Sequence, residues 1–283
     1  MTSMNFMSKA VLCAGLVLAT QNAVSQIVIN EVSTNSDDIE VFGQTCDWIE
    51  LYNPTPGYVS MSNFAISDNP DKPRKWVFTD NYRIEPYGFL MILCNDEGSG
   101  ANTNFKLSAE GETIVLSNSN GDIVDSVKVP RLYPDQSFGR ATDGAHFWGI
   151  FTKPSPNESN NSTEALTTPP KMELQSGFYK GGQKLVITCE DPDAEIYYTI
   201  NGNTPNTKST LYKGPISFSS TTVFRAIARN PNLERSSTVE SKTYFVNFRE
   251  CKLPVVSLIT DPANFYDNTK GIYVAGTNGI SGN

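Results

Sequence analysis

Histidine is almost absent from this chain: His146 is the one histidine in 283 residues. Its setting, "GAHFWG", reads as a turn or surface position rather than a catalytic one. No G-x-S-x-G nucleophile elbow occurs, and no P-loop or kinase-type glycine-rich loop with its lysine and aspartates is present. No cysteine pair has C-x-x-C spacing, which argues against a zinc site. Positive charge is scarce too, with 22 Lys and Arg against 30 Asp and Glu for a formal net charge of −8. An acidic chain of this kind is unsuited to binding nucleic acid through its phosphates. Long apolar runs are confined to "AVLCAGLVLA" at 10–19, far short of the ~20 residues that a spanning helix needs, so no transmembrane segment is expected.

That single apolar run follows Lys9 and precedes "NAVSQ", an Ala-x-Ser cleavage pattern ahead of Gln26. Residues 1–25 therefore read as a secretory signal peptide, which places the protein outside the cell or at its surface. Its removal takes away Lys9 and no acid, moving the formal charge from −8 to −9. Export permits disulfides. Cys46, Cys94, Cys189 and Cys251 lie after the signal, and Cys46 with Cys94 is the pair expected to share a domain. Buried free thiols packing as small apolar groups are the alternative.

From Gln26 onward no stretch shows apolar residues at helical spacing. Short alternating runs broken by Gly, Pro, Asn and Asp predict an all-β protein. Strands are expected at 27–32, 47–53, 88–94, 113–118 and 123–129, and again at 184–189, 195–200, 214–219, 222–229 and 242–248. Between them "PSPNESNNSTEALTTPP" at 154–170 has few apolar residues and reads as a linker. The organisation predicted is a first module at 26–153, the linker, a second module at 171–248, and a final segment at 249–283. That segment starts like a buried strand and offers one more, with no partner for either.

Several residues invite a chemical reading. Asn30 and Glu31 on one expected strand face Asp47, Glu50 and Asn53 on the next, a set of oxygens that suits calcium. Glu31, Asp47 and Glu50 are the candidate metal residues, although an odd spacing sends Asp47 and Glu50 to opposite faces of a regular strand. Edge charges and turn-capping hydrogen bonds are the plain alternative. Trp148, Tyr197 and Tyr212 are candidates for stacking on sugar rings, against the ordinary role of aromatics as core. The loop "DNPDKPRKW" gathers acids, bases and a tryptophan, and reads as a solvated turn closed by Trp76. No catalytic residue is assigned.

Three stretches resemble known families. "INEV", "DWIELYNP", "MSNFAISDNPDKPRKW", "NFKLSAEGETIVLSNSNGDIVDSV" and "QSFGRATDG" followed by Trp148 are similar to lamin-tail domains of the bacterial secreted type. That resemblance implies an immunoglobulin-like β-sandwich. "SGFYKGGQKLVITCEDPDAEIYYTINGNTPNTKSTLYKGPISFSSTTVFRAIA" resembles the small β-sandwich appended to chitobiase and β-hexosaminidase, an accessory module without the catalytic barrel. "LPVVSLITDPANFYDNTKGIYV" resembles the entry of a CotH-type kinase-like domain. Together they imply two immunoglobulin-like sandwiches in tandem, plus a truncated C-terminal segment. The function implied is a non-catalytic accessory or adhesion region of an exported bacterial protein, whose partner is the downstream domain of its own polypeptide. The alternatives are a carbohydrate-binding module meeting glycans or cell-surface proteins, and a full-length product that is a secreted kinase-like phosphotransferase.

Overall fold

A computed structural model describes residues 27–79, 81–249 and 253–274; the expected signal peptide and Cys251 lie outside the described residues. Strands dominate it, and among the described residues the one α-helix is a single turn, Ala263–Tyr266. No helix of the described residues is long and apolar enough to cross a membrane.

The first module is a sandwich of two sheets. Its five-stranded sheet runs Trp148–Phe151, Ser137–Arg140, Val28–Ser33, Trp48–Tyr52, Phe89–Leu93. Its four-stranded sheet runs Ile123–Val129, Glu112–Ser117, Ala65–Ser67, Trp76–Val77. Ile29, Ile49, Leu51, Ile66, Phe78, Ile92, Ile114 and Leu116 fill the space between them. Alternation explains the inward set, since Ile49 and Leu51 face the core while Trp48 and Glu50 take the other face. The alternation breaks on the first strand. Ile29 pairs with Leu51 and Glu31 with Glu50, leaving Asn30 as a bulge. One extra residue reverses the parity, so Ile29 and Val32 both reach the core and Asn30 and Glu31 both escape it.

The second module pairs a five-stranded sheet, in the order Gly177–Tyr179, Glu240–Val246, Thr222–Arg229, Glu195–Thr199, Thr210–Leu211, with two short hairpin-like pairs. Phe224, Ala226, Ala228 and Tyr244 point inward and meet Met172, Leu185 and Ile187. Two immunoglobulin-like β-sandwiches in tandem is the architecture expected from the sequence.

The joining segment is packed rather than free. Leu166 exchanges backbone hydrogen bonds of 2.9 Å with Ile150 in both directions, and Thr167 donates to Arg235 of the second module. Leu233 of the second module inserts among Ala141, Phe151 and Ala165. Gly149 makes this approach possible: a Cβ there would lie 2.9 Å from the Ala165 Cβ and 3.1 Å from the Leu166 carbonyl. Salt bridges Arg235–Glu164 at 3.0 Å and Lys128–Glu190 at 2.9 Å add to the junction, the latter between exposed groups where such pairs contribute little.

The final segment departs from its sequence pattern. Residues 253–262 form no strand, and Val256 is 88% exposed. Thr243 to Ser257 at 2.6 Å and Thr204 to Asp261 at 3.2 Å tie the segment to the outer side of the second module. Within it, Phe265 and Tyr273 rings meet at 5.4 Å. The apolar run looks like strand, but it finds no partner strand among the described residues.

Candidate functional site

Two of the three candidate metal residues meet and the third turns away. Glu31 and Glu50 lie opposite each other on adjacent strands and are both fully buried. Asp47 turns to the other face, where its carboxylate accepts from the Leu107 amide at 3.3 Å. Odd spacing along an unbulged strand separates Asp47 from Glu50, as expected. A third acid, Asp143, joins the two glutamates from a loop that sequence spacing does not connect to them.

What surrounds these carboxylates is a set of neutral donors. The Asn30 amide donates to Glu50 Oε1 at 2.9 Å and to Asp143 Oδ1 at 3.0 Å. Ser137 Oγ donates to Glu31. The rest come from the joining segment: Ser155 Oγ to Glu31 Oε2 at 2.9 Å, the Asn157 amide to Glu50 Oε2 at 2.7 Å and the Asn160 amide to Asp143 Oδ1 at 3.0 Å. Asn160 also donates its side-chain amide to the Arg140 carbonyl at 2.6 Å. The polar composition of 155–160 thus serves as a lid whose N–H and O–H groups complement two buried acids and the half-buried Asp143.

Burial has an electrostatic consequence. Loss of water pushes the Glu50 carboxyl up to about 8, helped by the neighbouring Glu31 and Asp143 charges and opposed by the Asn30 and Asn157 donors. Glu31 is raised as well, chiefly by burial, against its bonds to Ser137 and Ser155. The cluster is a latch between the joining segment and the first sandwich. Among the described residues no group of three or more His, Cys, Asp or Glu side chains is arranged to hold a metal.

The aromatic candidates also separate. Tyr212 packs against the second core, and its hydroxyl accepts from the Ile187 amide at 3.1 Å, so both ring and hydroxyl are used in the fold. Tyr197 is half-exposed on the outer sheet face, with its hydroxyl on Glu195 at 2.7 Å. Trp148 is different. Phe138 stacks on it at 5.3 Å, the Arg140 guanidinium lies 4.8 Å from its ring centre, and its edge lines a cleft between the two modules.

That cleft has a volume of about 280 Å³. Phe138, Phe147 and Trp148 form its wall on the first module, with His146 beside them, while Asp191, Asp193 and Asn230 close it from the second. Asn230 donates to Asp191 at 2.8 Å, which orients that carboxylate. Neither Tyr197 nor Tyr212 lines it. Sequence reasoning found Trp148 but not its acidic neighbours, because they lie in a turn of the other module and no local pattern joins them.

The described cysteines are free thiols: Cys94 is buried, and Cys46 and Cys189 are half-buried. Burial raises the Cys94 thiol well above its usual range.

A stretch of 61 residues is 39% identical to an Endoglucanase of Clostridium saccharobutylicum, covering 22% of this chain. The chain spans only 13% of that enzyme's length. Among solved structures, three N-terminal domains of the bacteriophage RB49 Highly Immunogenic Outer Capsid protein align over 78% of this chain and 59% of theirs, at 8% identity and a TM-score of 0.22. Tandem Ig repeats of Dlar align over 78% and 92%, at 9% identity and a TM-score of 0.22. Superpositions this loose fix no equivalence between residues. The family comparisons are specific: residues 20–131 match the Lamin Tail Domain and residues 174–241 the Chitobiase/beta-hexosaminidase C-terminal domain. The chain therefore carries a lamin tail domain followed by a chitobiase/β-hexosaminidase C-terminal domain.

Proposed function

We propose that this chain is the non-catalytic accessory region of an exported bacterial protein, a stiff two-sandwich arm that positions a CotH-type kinase-like domain following it. The modules would span 26–153 and 171–248, with 154–170 joining them and 249–283 leading onward. The observation that carries this reading is the junction: the joining segment is latched by Ser155, Asn157 and Asn160 onto the first module, and Leu166 and Thr167 bond it to both neighbours. A spacer that holds a fixed geometry needs such a joint, whereas modules acting independently do not. Exposed Leu253, Val256, Leu258 and Ile272 in the last segment support a role as entry to a further domain that would cover them. Both matched modules are accessory types, in keeping with a chain that does no chemistry.

Two measurements test the proposal. Incubation of this chain with ATP and magnesium gives no phosphotransfer, and turnover would overturn the non-catalytic reading. Small-angle scattering gives the profile of one rigid two-lobed particle, and a profile typical of two freely jointed beads would overturn the stiff arm.

A second reading, favoured by the chitobiase-type module and the stretch shared with an endoglucanase, gives the arm a carbohydrate-binding role at the cell surface. Retention of the chain on insoluble polysaccharide is its direct test.

A further inference from the structure

We propose that the cleft between the two modules is a saccharide site, selective for a neutral or amine-bearing sugar over an acidic one. This rests on the carbohydrate-binding reading above and gives it a location. The chemistry of the walls differs across the cleft. On one side Phe147, 39% exposed, and the half-buried Trp148 present aromatic surface, with Phe138 buried and stacked against Trp148. Aromatic surface suits the C–H faces of a pyranose, which are the apolar part of a sugar. On the other side Asp191 and Asp193 present carboxylate oxygens, the acceptors that hydroxyl groups or an ammonium group require. Asp191 is held by the Asn230 amide and by the Asp193 backbone amide at 3.0 Å, so the acceptor is fixed before any ligand arrives. A clamp with one apolar and one polar wall matches the two-sided character of a sugar ring.

Charge sets the selectivity. The lysine that borders the cleft, Lys128, is already paired with Glu190 at 2.9 Å. With that pairing, Asp191 and Asp193 line the cavity and no free lysine or arginine does. A uronic acid, a sialic acid or a phosphorylated sugar would bring its anion against those acids. An amino sugar would place its ammonium there with advantage. The site also needs both modules, since each supplies one wall. The latched joining segment that fixes the arm therefore also sets the width of the cleft.

Binding to this site has a built-in reporter. Trp148 lines the cleft, while Trp48 is buried outside it and Trp76 is buried in the first core. Titration of the chain with chitosan hexamer, cellohexaose and polygalacturonate, followed by tryptophan fluorescence and calorimetry, separates the cases. The expected result is saturable binding of chitosan hexamer or cellohexaose with a change in emission, and none of polygalacturonate. Phe147→Ala and Asp193→Ala, both at exposed positions, should each weaken that binding by about tenfold, the factor that 1.4 kcal/mol represents, with unchanged thermal unfolding. Binding that persists in both variants puts the sugar elsewhere and overturns the cleft while leaving the carbohydrate-binding reading intact. No binding of either sugar overturns both. Tighter binding of polygalacturonate than of the other two, or binding of oligolysine without either sugar, overturns the assignment of ligand.

Discussion

Glu50 has no exposed surface, and its carboxyl is held between the Asn30 amide and the Asn157 backbone of the joining segment. Burial raises it from an ordinary 4.5 to about 8. Between those values the unfolded chain has lost the proton and the folded chain keeps it. The unfolding free energy therefore falls as pH rises, by up to about 1.4 kcal/mol per unit. Below 4.5 the contribution is fully present, and above the folded value it is lost. The whole interval corresponds to roughly 5 kcal/mol at most, and relaxation with water entry reduces this to a few kcal/mol. Glu31 moves in the same direction, so the parent chain should show a decline larger than Glu50 alone supplies. Urea unfolding followed by tryptophan fluorescence from pH 5 to 9 measures it, because Trp48 and Trp76 are buried in the first module. The expected result is a loss of about 2–5 kcal/mol over that range, with Glu50→Gln giving a visibly shallower slope. Gln at this position also sets an N–H against one of two donors, so its absolute stability at pH 5 should be lower. Parallel slopes for the two proteins, or stability that rises between pH 5 and 8, would refute the buried latch.

Other consequences follow from the same joint. Gly149→Ala places a methyl group into the Ala165 and Leu166 contact and should destabilise the first module by about 1–3 kcal/mol, read by thermal unfolding; a neutral result would mean that the joining segment is not held there. Leu233→Ala empties the apolar contact between modules and should cost about 2–5 kcal/mol in whatever unfolding step couples them, while leaving each module's own transition in place. A single unchanged transition would count against the contact. Cys94, buried and with its thiol raised, should stay unreactive to a thiol reagent until the first module unfolds, with Cys46 modified earlier. Equal rates would contradict the packing described.

Much of the fold was legible in the sequence because period-2 alternation is a direct image of a half-buried strand. Thr222–Arg229 and Ile123–Val129 appear with the bounds expected, and Glu195–Thr199 nearly so. Ser137–Arg140 and Trp148–Phe151 escaped that reading. Each carries a glycine, at Gly139 and Gly149, where neighbouring atoms leave no room for a side chain, and Arg140 is buried through its pairing with Asp125 at 2.9 Å. The composition of 154–170 announces a connection but not its packing: Asn160 and Thr167 are buried because acids and carbonyls from other elements receive their donors. The candidate site was legible only in part. Glu31 and Glu50 meet because of a bulge at Asn30, which no alternation pattern announces, and Asp143 reaches them from a distant turn. Trp148 was recognisable as an aromatic worth naming, whereas its opposing carboxylates belong to another module and become neighbours through the junction.

That junction is the central claim, and nuclear relaxation tests it most directly. Backbone ¹⁵N relaxation rates measured across the chain should give both modules one shared rotational correlation time, that of a single elongated particle. Two shorter and different correlation times, each matching an isolated sandwich, would contradict the stiff arm and with it the fixed cleft.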